Sequence, residues 1–505
     1  MTVYKRTGCA VAVSALFAAA PAIADVTAEQ VWQDWQDNLS IYGEASLEVG
    51  SEEMSGDTLT VSDIVMTLTD EESTVTVDIG ELTFTETGDG TVQVGLPEET
   101  PMTLEMTPTY GDPATVEMVA RSEGSELIVS GTPEEMVYDI SAARYTIAVE
   151  SVEGAEADVE VNTVEFSLSD IEGTYTVSED EGLRHVDYAL SAGVLNAVVD
   201  ITEPDGPGTM QLLGTIDGLQ MQAVVDAPTD VDMESPETVF VDGLSIDAGY
   251  EFGESSYSFS FTEESETMQG EASAESGEMS IMASQSGFAY SGGATAPSVS
   301  FQGGGVPFPV EISMAEYSYG IDLPLAASEE PEPFSLQLLL SELTINDEIW
   351  SMIDPQGMLD HQPATVSLDL SGAVALDFDV LDPAQMPQMM MADVPGELEE
   401  VTLNDLNVSV AGAQLTGEGA FTFDNSDLET FGGMPAPEGS ATFSLTGANQ
   451  LIDTLVEMGL VPEQQVMGAR MMMGMFARQV GEDQLESNIE INEEGHIIVN
   501  GQRIQ

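Results

Sequence analysis

One spacing recurs along this chain and limits what it can become. An apolar residue is followed by two polar or small ones, then by an apolar residue, a variable one and another apolar residue. It is met at Val61, Ile64 and Met66, at Ile79, Leu82 and Phe84, and at Val161, Val164 and Phe166. It returns at Ile216, Leu219 and Met221, at Val241, Leu244 and Ile246, at Leu340, Leu343 and Ile345, and at Leu403, Leu406 and Val408. Outside the two-residue gap, apolar and polar residues alternate, as in a strand with one buried face. The gap shifts that phase by one residue, so the chain must bulge, bend or turn there to keep its apolar side chains on one face. The spacing predicts a mainly β fold: elongated and antiparallel, with rolled or stacked sheets built from repeated strand units.

The beginning of the chain has a different character. Lys5 and Arg6 precede an apolar run, Cys9 to Ala20, that is too short for a comfortable membrane span, and Ala22-Ile23-Ala24 supplies small residues at the usual cleavage spacing. This predicts a signal peptide over residues 1–24, cleavage after Ala24 and a periplasmic destination. Cys9 is the single cysteine, so the processed chain would hold no disulfide and no thiolate chemistry.

Charge narrows the partners. The chain has 92 acidic and 8 basic residues, a formal net charge of −84. Removing residues 1–24 leaves no lysine, and Arg121, Arg144, Arg184, Arg470, Arg478 and Arg503 become the only cations besides the N-terminus. A hydrophobic fraction of 42% still provides material for a core. An acidic skin of this kind suits a salt-rich medium, where screening shortens electrostatic range below ~10 Å, and it disfavours nucleic acid and anionic surfaces. The apolar stretches of the mature chain are strand-length, which predicts no transmembrane helix there.

After the cleavage point, Thr27 and Gln30 form a capping box, Val26 and Val31 a hydrophobic staple, and Trp32, Trp35 and Leu39 one helical stripe. Such a helix would close the open end of a sheet. Strands follow almost without pause to Leu445, with Gly88-Asp89-Gly90 as a tight turn and residues 226–238 as a loop. The glycine-rich stretch around 291–309 marks a boundary between a unit over 25–300 and a unit over 301–505. Phe334 to Ile345 reads as a strand pair, and Val366 to Leu370 with Val374 to Val380 as a hairpin across Ser371-Gly372. Residues 349–353 suit a helical turn and 382–397 a loop or short helix. Asn449 would cap a helix ending at Gly459, and Pro462 would open a methionine-rich helix that packs into the mouth of the sheet.

No catalytic, cofactor-binding or metal-ligating set emerges. His185, His361 and His496 lie far apart without a zinc spacing, no G-x-S-x-G elbow is present, and the glycine runs lack the lysine of a phosphate loop. Calcium has the best candidates in Asp424-Asn425-Ser426-Asp427, in Asp377 with Asp379 and Asp382, and in Ser178 to Glu181, none at a known coordination spacing. The first of these serves equally well as a turn.

Several stretches resemble the alphaproteobacterial family called domain of unknown function 2125. They are residues 24–32, 59–63, 80–86, 304–310, 415–425, 452–476 and 500–504. The resemblance implies an exported protein and carries no activity or site residues with it. The sheet-then-helix tail is also similar to envelope proteins of the AsmA kind, which implies an apolar groove for lipid. The expectation is therefore an envelope protein binding a lipid or other hydrophobic partner in a β-sheet groove. The alternatives are a periplasmic scaffold or protein-interaction module, with or without stabilisation by calcium, and a hydrolase of unknown substrate.

Overall fold

The computed structural model describes residues 26–504, apart from 40–44, 70–71, 108–112, 155–159, 181, 204–205, 230–239, 242, 264–265 and 393–394. The expected signal peptide and most of the expected 226–238 loop lie outside the described residues.

Among the described residues, twenty-eight strands form one sheet, mainly by antiparallel pairing of chain neighbours. Several short strands are halves of longer ones. Ser245–Phe252 and Ser255–Glu263 run one after the other along Thr209–Pro228. Ser276–Ala283 and Glu266–Ala274 lie next to them, then Gly287–Thr295 and Ser298–Gly303, then Glu316–Pro324 and Val306–Ser313. Val92–Gly95 with Glu99–Met106 follow Ser73–Glu86 in the same way. Joined so, the chain is an up-and-down meander. At the glycine-rich stretch, the tight turn after Gly303 connects Ser298–Gly303 to Val306–Ser313, which pair with each other.

Most of the two-residue gaps fall on a seam that crosses this meander. In Thr58–Thr69 the pairing jumps past Asp63, which has a φ of 57°, and the neighbouring strand answers with Gly80 at 74°. Pairing also slips at Leu340/Leu343 beside Glu342 (φ 53°) and at Leu403/Leu406, while Gly218 takes a φ of 64°; the slip at Val161/Thr163 lies apart from the seam, at the end of Glu160–Asp180. The seam continues between the half-strands through backbone bonds such as Ala296 N to Ala315 O at 2.8 Å and Ala315 N to Ser341 O at 2.9 Å. Bulges of this kind absorb one residue and restore the phase. The seventh spacing, at Val241, lies in a turn before Ser245–Phe252.

The N-terminal helix Ala28–Leu39 forms as its sequence predicts. Thr27 N donates to Gln30 Oε1 at 3.0 Å and Gln30 N to Thr27 Oγ1 at 3.3 Å, while Val26 and Val31 are buried. Trp32 and Trp35 sit over Phe84 at ring separations of 5.8 and 5.6 Å. Leu59, Val61, Ile64, Leu82, Val92 and Val129 complete this core.

Four local expectations change. Phe334 to Ile345 belongs to one strand, Glu332–Ile345, because the bulge at Glu342 replaces a turn. Ala364–Leu376 is likewise one strand and no hairpin forms at Ser371-Gly372: Gly372 pairs with Phe334, whose ring occupies the space a Cβ would need. Asn449 lies inside the helix Ala448–Glu457, not at its cap. Asp483 caps that helix from a distant turn, accepting from Asn449 N at 3.0 Å and Gln450 N at 2.9 Å. Finally, the methionine-rich helix Glu463–Phe476 does not enter the sheet. It touches the body through Val466 and a half-buried Met473, and Met467, Met471, Met472 and Met475 point to solvent.

Candidate binding face

Directly paired residues of an antiparallel sheet share a face, so the registers can be followed across the meander. One row runs Tyr138, Tyr175, Tyr188, Ala223, Ala248, Ile281, Tyr290, Ile321, Leu336, Leu370. Its neighbour runs Ile140, Gly173, Leu190, Met221, Tyr250, Met279, Gly292, Tyr319, Leu338, Leu368. Across the seam a third runs Ile147, Phe166, Ala197, Gly214, Tyr257, Ala272, Val299, Ile312, Ile345. None of these rows contains a charged residue. The rows between them do, as in Ser141, Glu172, Ser191, Gln220, Glu251, Glu278.

The sheet thus has one apolar face, and its two ends differ. At the N-terminal end the helix Ala28–Leu39 covers it. Trp32 Nε1 donates to Glu52 at 2.9 Å, Asp34 accepts a short hydrogen bond from Tyr138, and Asp34 also lies 3.8 Å from the largely buried Arg184. Burial, then the bond to Asp34, pushes the Tyr138 phenol far up, so it remains a donor. Beyond this helix no other described element covers the apolar rows: Met221, Tyr250, Leu336 and Leu338 are each 36–41% exposed. Continuous uncovered apolar surface of this kind marks interaction sites.

Aromatic rings lie flat where glycine leaves room. A Cβ on Gly277 would overlap the Phe252 ring of the paired strand. Tyr290 and Tyr319 rings stand 5.3 Å apart, and the hydrogen bond to Tyr290 with burial pushes the Tyr319 phenol up to about 12.

Where the covered and open parts meet, a cavity of about 370 Å³ is lined by Trp35, Ile79, Leu82, Leu96, Ile140 and Tyr145, among others. Residues from both sides of the seam line it, Ile79 with Leu82 and Ala142 with Tyr145, so the bulges keep the apolar set on one face. The larger concavity, about 1030 Å³, opens on the opposite face between Asp139, Glu172, Glu251 and Glu278. Polar residues there alternate with Ile140, Leu190, Met221, Tyr250 and Met279, and nothing in the lining resembles a reactive set.

The residues singled out for chemistry are tied up locally. His185 Nδ1 lies 2.7 Å from Asp226, and Ser245 donates to the other oxygen of the same carboxylate at 3.0 Å. Serine and imidazole thus share an acid and do not form a nucleophile–base pair. His361 engages Asp354 at 3.3 Å and stacks on Trp350, and His496 engages Glu494 at 3.1 Å. Asp424 accepts from Ser426 N and Oγ, and Asp427 from Thr430 N and Oγ1, which is turn geometry. Gln385 Nε2 bridges Asp379 and Asp382 at 2.8 Å each. Glu181 lies outside the described residues. Among the described residues, no group of three or more His, Asp or Glu could hold a metal ion, and no helix is long and apolar enough to cross a membrane.

The profile of a family described as "Uncharacterized protein conserved in bacteria (DUF2125)" matches residues 199–493. That span includes the 304–310, 415–425 and 452–476 stretches and the open part of the apolar face beyond Val199. No curated protein matches the chain.

Proposed function

We propose that this chain, which belongs to the DUF2125 family, is an exported envelope protein that carries a lipid or another long hydrophobic molecule along its apolar face. The observation that carries this is the part of the uncharged row beyond the helix, from Tyr188 to Leu370. Eight paired residues at ~4.8 Å per strand give it a length of roughly 34 Å. Each methylene transferred from water onto such a surface contributes up to ~0.8 kcal/mol. A half-covered chain of some sixteen methylenes would then gain on the order of 6 kcal/mol before ordering costs. No cation lies in the rows, so recognition rests on the hydrocarbon and leaves the polar end in water. The signal sequence expected at residues 1–24 supports a periplasmic setting, and the net charge of −84 supports work in a salty medium.

Native purification of the processed chain, solvent extraction and mass spectrometry test this. Bound lipid is expected in the wild type, retained by Gln220→Glu on the polar face and reduced at least tenfold by Met221→Glu. A wild type that carries no lipid and takes up no fluorescent fatty acid or phospholipid overturns it, and leaves a scaffold for another envelope protein as the better reading.

A further inference from the structure

We infer that the helix Glu463–Phe476 is the surface by which this protein rests on a lipid bilayer. The two ends of the apolar face are closed differently. At the N-terminal end, the helix Ala28–Leu39 turns its apolar stripe inward, with Val31 and Trp32 buried. At the C-terminal end, the apolar side chains of Glu463–Phe476 turn outward. Met467, Met471 and Met475 recur every four residues, so they form one stripe, and they are 74%, 67% and 59% exposed. Met472 and Phe476 stand beside it, while Val466 and Met473 alone face the body.

Charge points to the kind of partner. In a chain with 92 acidic residues, 464–481 contains none and carries Arg470 and Arg478. The segment that presents the methionines adds no carboxylate of its own, which lessens the repulsion and the desolvation that carboxylates would impose at a membrane interface. Both arginines are engaged internally, Arg470 with Asp453 and Arg478 with Glu486, each at 2.6 Å. Attachment therefore depends on apolar contact more than on anionic headgroups.

The side chains favour fluid hydrocarbon over a protein partner. Protein hot spots use Trp, Tyr and Arg with directional bonds, whereas this stripe is unbranched thioether with one aromatic ring. Methionine adapts to an irregular surface. Fourteen residues make a helix of ~21 Å, too short for a ~30 Å hydrocarbon core, so its contact with a bilayer would be confined to the interface. The hairpin Ala448–Glu457 to Glu463–Phe476 also sits where the apolar row Leu415, Leu445, Leu485 reaches its end. A hydrocarbon chain leaving the bilayer there would meet the apolar face directly.

Flotation of the processed full chain with phosphatidylcholine vesicles tests this in ~1 M salt, where the Debye length is about 3 Å. The wild type is expected to float, with little change when phosphatidylglycerol is added. M467E/M471E/M475E should lose binding at least tenfold while keeping its circular dichroism, and M467L/M471L/M475L should keep it. A wild type that stays unbound, a triple-glutamate variant that floats equally, or a dimer that this variant abolishes without any vesicle binding overturns the inference. Met221→Glu, which tests the ligand face, should float normally, so failure of one proposal is distinguishable from failure of the other.

Discussion

Asp170 faces Gly193 across the seam: Asp170 has a φ of 51°, and a Cβ on Gly193 would lie 2.9 Å from its Oδ2. The same relationship recurs at the start of the sheet, where Asp63 (φ 57°) faces Gly50 and the hypothetical Cβ would lie 2.6 Å from the Asp63 Cβ. A left-handed aspartate needs the space that the opposite glycine leaves. The pair is a unit.

Gly193→Val is expected to destabilise the sheet by about 1–3 kcal/mol through overpacking. Asp170→Gly should be neutral or stabilising, because the left-handed conformation costs a non-glycine residue roughly 1–2 kcal/mol. In the double variant the cost of Gly193→Val should shrink. Denaturant midpoints in brine check all three, and a strictly additive double variant would rule out the coupling.

The N-terminal helix is held by its polar lock as well as by its tryptophans. Asp34→Asn leaves Arg184, a largely buried cation, beside a neutral amide, and a loss of roughly 2–3 kcal/mol is expected. Because the helix covers one end of the apolar face, the variant should also bind more of an environment-sensitive hydrophobic dye. Unchanged stability and dye binding would mean that this lock does not hold the helix.

Acid should loosen the C-terminal hairpin. Burial would raise the Asp483 carboxyl, but bonds from Gln450 N, Asn449 N and the Asn449 side chain hold it below its usual value. A depressed carboxyl contributes stability that is present above the unfolded value of ~3.9 and is lost as pH falls through the folded one. Hydrogen exchange over 448–457 should therefore quicken below about pH 4. Asp483→Ala should show that loss at neutral pH, by about 1 kcal/mol.

Salt should act in the opposite direction from its effect on a protein held by surface ion pairs. With a net charge of −84, self-repulsion dominates, and raising salt from ~0.05 to ~1 M should raise the thermal midpoint. A midpoint that falls over this range would show that repulsion does not limit stability.

What the sequence alone determined is local in origin. Period two with a two-residue gap is written within six residues, so the strands, their buried side and the bulges at Asp63, Gly80 and Gly218 could be read directly. The capping box at Thr27 and Gln30 is local too, and it formed. What only the tertiary structure decided depends on residues far apart in the chain. Ser371-Gly372 looks like a turn until Phe334 lays its ring over Gly372, and Asn449 looks like a cap until Asp483 arrives from another turn. The methionine stripe looks like core because composition cannot say which way a helix faces. Burial is a property of what packs against a residue, and the described residues leave Met467, Met471 and Met475 mostly exposed.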